Sequence, residues 1–205
     1  AIITLAQKEY EKVWSNCNFG NLVKFLNKAI ELEPHEGSLY YFRGRAIHEQ
    51  YDYQGAIDDY TKAIKNWRYG YKRDHKNCYL YIAFAKNELE DYQGAVDDFT
   101  KAIELYPNDE DFYLYRGDAK QKLEDYQGAV NDFTKAIEID PTDIILILRC
   151  AHAKEDLKDY QGAIDEFTKA IDIDPSDAYY YYSRGNAKYE LEDYCEAIDD
   201  YTKAI

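Results

Sequence analysis

The 205-residue chain contains no methionine, only four prolines and ten glycines, and far fewer basic than acidic residues. So little Pro and Gly fits a helical chain better than a turn-rich β-sandwich. Lys and Arg number 25 against 40 Asp and Glu, which gives a net charge of −15. Because phosphate binding needs a surplus of basic residues, this charge argues against DNA or an anionic membrane as the main partner.

Long hydrophobic runs are missing as well. The longest unbroken aliphatic run, 144–148, has five residues, where about 20 are needed to cross a bilayer, so we expect no membrane insertion. The N-terminus lacks the basic stretch and apolar core of a signal peptide. A cytoplasmic location is therefore expected, with a removed N-terminal leader as the alternative because the chain does not begin with Met.

Motifs for catalysis or metal binding are also absent. The four cysteines (Cys17, Cys78, Cys150 and Cys195) form no C-x-x-C pair and the four histidines are isolated, which predicts reduced cysteines in small helical positions and no metal site. The chain has no Gly-rich phosphate loop and no nucleophile elbow. We therefore expect no enzyme activity and no cofactor.

Paired acids occur at 58–59, 97–98 and 199–200. Adjacent residues on a helix diverge by about 100°, so such pairs do not converge on one metal ion. Each pair precedes a Lys by three and four residues, which predicts solvated ion pairs along the helix surface.

A repeated string organises the chain. Asp-Tyr-Gln-Gly-Ala occurs at 52–56, 91–95, 125–129 and 159–163, with an altered copy at 193–197. Its final Ala falls at 56, 95, 129, 163 and 197, so the step is 39 residues once and 34 residues three times. Each copy is followed by an aromatic residue and Thr-Lys-Ala-Ile, which indicates a structural repeat.

Each repeat contains two helical patterns. Ala129, Val130, Phe133 and Ala136 stand at the i, i+3, i+4 spacing of an amphipathic helix. Asp125 is placed to cap this helix, and Pro141 to stop it. A single helical hairpin cannot bury its apolar stripe alone, so neighbouring hairpins are expected to stack.

These residues resemble the tetratricopeptide repeat family. Its aromatic, small and Pro signature matches Tyr113, Gly117, Ala129, Phe133, Ala136 and Pro141, then Tyr79, Ala83, Ala95, Phe99, Ala102 and Pro107, and then Ile147, Ala151, Ala163, Phe167, Ala170 and Pro175. The resemblance implies an all-α, right-handed α-solenoid of about six helix-turn-helix units. The whole chain, 1–205, would be one array with units 3–36 (degenerate), 37–75 (with an insertion at 65–75), 76–109, 110–143, 144–177 and 178–205 (incomplete).

The chain departs from the family in two places. Glu90, Glu124, Lys158 and Glu192 stand in the turn where the family often has Gly, whereas Gly55, Gly94, Gly128 and Gly162 fall in the first turn of the second helix. Close helix contact and drift within a subfamily are both open explanations for these glycines. Arg43, Arg116 and Arg184 occupy a column that the family usually fills with Leu, and we expect them to reach a neighbouring Asp or Tyr.

The resemblance also implies a binding surface, because first helices of this family line a concave face that commonly holds an extended peptide. The corresponding residues are Tyr41, Phe42, Arg45, Leu80, Tyr81, Phe84, Leu114, Tyr115, Asp118, Arg149, His152, Tyr182 and Asn186. Aromatic anchors with two Arg suit a peptide that has apolar and acidic residues. The alternative is that these Tyr side chains only pack on neighbouring repeats.

A second candidate site is the basic and aromatic insertion. It includes Lys65, Trp67, Arg68, Tyr69, Tyr71, Lys72 and Arg73. Such a segment can dock on an acidic protein or bind nucleic acid, or it can be a solvated loop.

The sequence therefore predicts a non-catalytic protein–protein interaction scaffold that binds a peptide segment of a partner. The alternative is a self-assembling array that stacks end to end without a peptide ligand, because the chain ends inside a second helix whose apolar face has no following repeat. We expect either an additional segment or self-association at this C-terminal end.

Overall fold

The computed structural model describes residues 2–14, 19–67 and 72–205, and the side chains of 3–12, 19–67 and 76–205. These residues form twelve α-helices and no β-strand, so the predicted all-α class is confirmed. The helices are α1 (Ile2–Trp14), α2 (Phe19–Leu32), α3 (Gly37–His48), α4 (Tyr53–Asn66), α5 (Lys72–Glu88), α6 (Tyr92–Leu105), α7 (Glu110–Lys122), α8 (Tyr126–Ile139), α9 (Ile144–Asp156), α10 (Tyr160–Ile173), α11 (Ala178–Glu190) and α12 (Tyr194–Lys203).

The chain divides into two compact units, Ala1–Tyr106 and Pro107–Ile205. The first unit contains helices α1 to α6 and the second contains α7 to α12, three helical hairpins in each. Within each unit every helix packs on the next helix along the chain. Each hairpin from α3 onward therefore corresponds to one period of the sequence repeat.

Aspartates cap the second helices as the sequence predicts. The side chains of Asp52, Asp91, Asp125 and Asp159 each accept a hydrogen bond from the backbone N–H three residues later, at 2.9–3.0 Å. Such a cap satisfies one of the four backbone donors left open at a helix start.

The glycine in the first turn of these helices makes room for the cap. A Cβ placed on Gly128 would lie 2.1 Å from Oδ2 of Asp125, and the other three copies are similar. Close contact with a neighbouring helix is thus the wrong explanation, because the crowding atom belongs to the helix's own cap. In the altered copy, where Glu196 replaces Gly, the N–H of Glu196 stands 3.4 Å from Asp193 Oδ1.

The turn between the two helices of each hairpin needs a left-handed residue. Glu90, Glu124, Lys158 and Glu192 have φ of 60°, 60°, 60° and 65°, and Tyr51 has φ of 63°. This backbone conformation is the one that glycine adopts without steric cost. The turn therefore has a backbone conformation typical of glycine although the residue is not glycine.

The core of each hairpin is an aromatic side chain against small residues. Tyr60, Phe99, Phe133 and Phe167, one from each second helix from α4 to α10, are fully buried. A Cβ on Gly117 would lie 2.6 Å from the Phe133 ring, so only glycine permits this approach. The predicted small and aromatic positions are confirmed here.

Each second helix from α4 onward also buries one acid. These acids are Asp59, Asp98, Asp132, Glu166 and Asp200, all 7% exposed or less. The expectation that the paired acids are solvated is therefore wrong for Asp59, Asp98 and Asp200. Their position is explained by cations on the preceding first helix, because a buried charge needs a paired and hydrogen-bonded partner.

Arginine supplies that partner in alternate repeats, as expected. Arg43 Nε and Nη2 donate to the two carboxylate oxygens of Asp59, both at 2.7 Å. The same two-bond pairs join Arg116 to Asp132 and Arg184 to Asp200 at 2.6–2.9 Å. Bidentate pairs of this kind are stronger than single hydrogen bonds.

The repeats without this arginine use two lysines. Asp98 is 2.5 Å from Lys86 on α5 and 3.0 Å from Lys101 on its own helix. Glu166 is contacted by Lys154 at 2.7 Å and by Lys169 at 2.9 Å. Every buried acid is thus neutralised, but the place of the arginine is taken by Ile82 in one repeat and by Cys150 in the other.

Candidate functional site

In the first unit, the predicted groove residues surround an arginine. Arg45 lies over the Tyr81 ring at 4.7 Å and over the Tyr10 ring at 5.6 Å. Phe42 is half-buried and packs on Tyr10 with ring centroids 5.0 Å apart. This arrangement holds a guanidinium between two aromatic faces, which is a favourable cation–π geometry.

Tyr41 and Trp67 belong to the core and not to an exposed surface. Tyr41 is 7% exposed and Trp67 is 9% exposed, and their rings lie 5.7 Å apart. Tyr41 also packs on Tyr60 and Tyr81. For Tyr41 the structure therefore favours the alternative in which the ring packs between repeats, and for Trp67 it corrects the expectation of an accessible aromatic.

Two polar atoms on the first helices of this unit have no hydrogen-bond partner among the described residues. They are Nδ1 of His48 and Oδ1 of Asn87, both buried. His48 lies one helical turn after Arg45 on α3, and Asn87 lies one helical turn after Phe84 on α5. Burial lowers the pKa of His48, which favours the neutral ring. Leu80 and Phe84 are half-buried, with Phe84 against Phe99.

In the second unit, the first two hairpins bring a carboxylate and an arginine together. Arg149 Nε lies 3.6 Å from Oδ1 of Asp118, and the Arg149 side chain is 52% exposed. Oδ1 of Asp118 is buried without a hydrogen bond. Desolvation raises the pKa of Asp118, against the lowering effect of Arg149. Tyr115 and Leu114 are half-buried beside it on α7.

The last two hairpins of this unit are joined through His152. Its Nδ1 lies 2.8 Å from Glu155 and its Nε2 lies 2.8 Å from the Tyr179 hydroxyl. On α11, Asn186 Oδ1 accepts a hydrogen bond from Tyr201 at 3.0 Å. Tyr182 is 54% exposed. The polar groups of this surface are therefore held in fixed orientations by their neighbours.

The structure thus brings the predicted residues of each unit onto its first helices, with four additions that the sequence analysis missed: Tyr10, His48, Asn87 and Tyr179. Tyr179 lies one helical turn before Tyr182, so helical spacing alone places the two residues on the same face of α11 and could have identified Tyr179. Tyr10 belongs to the degenerate first unit, where no repeat signature marks it.

The insertion is described only in part. Lys65 is exposed at the end of α4, but Arg68, Tyr69 and Tyr71 lie outside the described residues, as do the side chains of Lys72 and Arg73. Cys17 also lies outside them. Cys78 and Cys150 are buried on α5 and α9, and Cys195 is exposed on α12.

Two further properties concern the described residues alone. No group of three or more His, Cys, Asp or Glu side chains in residues 2–14, 19–67 and 72–205 is arranged to hold a metal ion. None of the described helices has both the length and the apolar character needed to cross a bilayer.

Sequence profiles of one family match three parts of the chain. Two profiles described as tetratricopeptide repeat match residues 77–109 and 110–143, and one described as TPR repeat matches 151–191. Together they cover more than half of the chain. A comparison with curated proteins finds no match by sequence.

Solved structures share the fold at low sequence identity. The C-terminal part of a TPR repeat-containing protein from Cytophaga hutchinsonii is 17% identical, with a TM-score of 0.83 over 97% of this chain and 77% of that chain. MamA from Desulfovibrio magneticus RS-1 is 18% identical, with a TM-score of 0.72 over 86% of this chain and 97% of that chain. YrrB, a TPR protein with an unusual peptide-binding site, is 21% identical, with a TM-score of 0.66 over 82% of this chain and 84% of that chain.

Proposed function

Because the chain belongs to the tetratricopeptide repeat family, whose members are protein-interaction modules, we propose that it is a non-catalytic scaffold that binds a peptide segment of a partner on its first helices. The groove surface of each unit is defined as follows. In the first unit it comprises Tyr10, Phe42, Arg45, His48, Tyr81, Phe84 and Asn87. In the second it comprises Leu114, Tyr115, Asp118, Arg149, His152, Tyr179, Tyr182 and Asn186.

One observation carries this proposal: three buried polar atoms on first helices have no hydrogen-bond partner among the described residues. They are His48 Nδ1, Asn87 Oδ1 and Asp118 Oδ1. An unsatisfied buried polar group costs about 1–3 kcal/mol. His48, Asn87 and Asp118 are only partly buried as residues, so rotation of their side chains can turn these atoms toward a bound peptide. A peptide backbone offers N–H and C=O groups at regular spacing, which would then satisfy the atoms and recover part of that cost.

The side chains around these atoms define the expected ligand. Phe42, Tyr81 and Tyr115 are half-buried aromatics, which suit apolar side chains. Arg45 between its two Tyr rings suits an acidic group. Arg149 faces Asp118, so its charge is partly compensated and it contributes less to acidic selectivity. YrrB, with its peptide-binding site, supports a peptide as the class of ligand.

The test is quantitative affinity capture from native lysate with wild type, Tyr115→Ala and Asn87→Leu. A central aromatic contact is worth about 2 kcal/mol or more when it is a hot spot, so the partner should be depleted roughly thirty-fold with Tyr115→Ala. Tyr126→Ala, on the second helix α8, is the matched control and should retain the partner. Circular dichroism establishes that each variant is folded. Equal capture by all four proteins would refute the groove surface.

A second candidate function is association between copies through α12. The apolar residues on its outer side are Tyr194, 50% exposed, and Ile198, 62% exposed. A cavity of about 420 Å³ opens beside it, lined by Tyr179, Tyr182, Tyr201 and Ile205 among others. Light scattering across a dilution series, with Ile198→Lys as the variant, tests this: a monomer at every concentration would refute it.

A further inference from the structure

A second cavity lies in the first unit between α4, α5 and α6. Its volume is about 390 Å³. The apolar part of its lining is Ile57 and Ile64 from α4 with Tyr79 and Ile82 from α5. None of the groove residues lines it, so it is a separate site.

The cavity occupies the place where other repeats have an arginine. In the preceding repeat, Arg43 pairs with Asp59 and extends Nη1 to Asn27 Oδ1 at 2.7 Å, which fills the space between the two second helices. One repeat later the residues at the positions of Arg43 and Asn27 are Ile82 and Thr61, and both line the cavity. Isoleucine is too short to span this gap, so the space stays open.

Charge distinguishes this cavity from the rest of an acidic chain. Its charged lining residues are Lys65, Lys86, Lys101 and Asp98, an excess of two positive charges. At the position of Lys65, the other repeats have Glu31, Glu104, Glu138 and Asp172, so Lys65 is the one cation in a column of acids. Lys86 and Lys101 already neutralise Asp98, and Lys65 adds a charge that the fold does not need.

We propose that this cavity binds a small amphipathic carboxylate, an organic acid with a hydrocarbon or aryl body. The body would lie against Ile57, Ile64 and Ile82, where burial of apolar surface drives binding. The carboxylate would face Lys65 and Lys101 at the exposed rim, where two lysines that line the same cavity attract an anion. A cationic ligand is disfavoured because it would compete with two lysines for Asp98.

The probe for the test is 4-phenylbutyrate, with 4-phenylbutylamine and 4-phenylbutanol as comparators of the same body. Binding is followed in full-length protein by NMR of labelled isoleucine δ1-methyl groups, since three isoleucines line the cavity. We expect saturable shifts centred on Ile57, Ile64 and Ile82 with the carboxylate. The amine and the alcohol should bind at least tenfold more weakly.

The decisive variant is Lys65→Glu, which restores the acid found at this position in the other repeats. Lys65 is exposed, so the variant should fold, and its affinity for 4-phenylbutyrate should fall at least tenfold. Lys62→Glu makes the same charge change one turn earlier on α4 and should bind like wild type. The proposal is overturned if the three methyl groups do not shift, if the alcohol binds as tightly as the acid, or if Lys65→Glu and Lys62→Glu behave alike. It is independent of the groove, because Tyr115→Ala should leave these shifts unchanged.

Discussion

Replacing Asp59 by asparagine should destabilise the protein, whereas the same change at its neighbour Asp58 should not. Asp59 is 2% exposed and receives two hydrogen bonds of 2.7 Å from Arg43. Asp58 is exposed and has only a long contact of 3.4 Å with Gln54. The two substitutions are chemically identical and adjacent, so their difference isolates the effect of the buried pair.

The magnitude follows from what asparagine cannot do. Its amide keeps one acceptor oxygen for Arg43 but places an N–H₂ donor opposite the second guanidinium N–H. Hydrogen bonds to charged groups are worth about 1.5–3 kcal/mol, and loss of one partner of a fully buried pair costs about 3–5 kcal/mol. Since the Arg43 side chain is 18% exposed, water recovers part of the loss, and we expect about 2–3 kcal/mol for Asp59→Asn.

Thermal unfolding followed by circular dichroism measures the difference. For a chain of this size about 1 kcal/mol corresponds to roughly 2–4 °C, so Asp59→Asn should lower Tm by about 5–10 °C. Asp58→Asn should stay within about 1–2 °C of wild type, as for other surface changes. Equal shifts for the two variants would refute the idea that the acids of the second helices are structural ion-pair partners.

Three further predictions concern the turns, the caps and pH. Glu124→Gly should raise the free energy of unfolding by about 0.5–1 kcal/mol in urea unfolding, because φ at Glu124 is 60° and glycine adopts this conformation without steric cost. A lower free energy of unfolding would contradict backbone strain at Glu124. Gly128→Ala should destabilise the wild-type protein by about 1 kcal/mol, because the new Cβ would displace the capping side chain of Asp125. In an Asp125→Ala background the same change should stabilise the protein. A stability change of the same sign in both backgrounds would contradict this explanation of the glycine. Burial alone would raise the pKa of Asp200, but hydrogen bonds from Arg184 and Lys188 outweigh it and lower that pKa. The stability this gives is present above the unfolded pKa and should be lost as pH falls below about 4, with a shallower fall in Tm for Asp200→Asn; identical pH profiles would be the contrary result.

The helices could be predicted because the same helix signals occur in several successive repeats. Capping Asp125, stopping Pro141 and the Ala and Phe spacing between them recur in successive copies, so one period defines the hairpin. The left-handed turn at Glu124 was visible as a departure from the family, but its φ was not, because Glu has no intrinsic preference for that conformation.

The buried acids could not be predicted from charge spacing within one helix. The cation that matters for Asp59 is Arg43, 16 residues earlier, and no rule of three or four residues reaches that far. The two columns recur together in alternate repeats, however, so a comparison between repeats carries the signal. The burial of Tyr41 could not be predicted for a related reason. It depends on Trp67, which follows α4 and packs against the Tyr41 ring.

The central claim is that the first helices of this repeat protein hold a partner's peptide segment. The most direct measurement is photo-crosslinking in native lysate with benzoylphenylalanine in place of Tyr115 on α7, and separately in place of Tyr126 on α8. Binding on the first helices predicts adducts from position 115 that map to one contiguous segment of another protein, and few or none from position 126. Equal adducts from both positions, or adducts only with further copies of this chain, would contradict it.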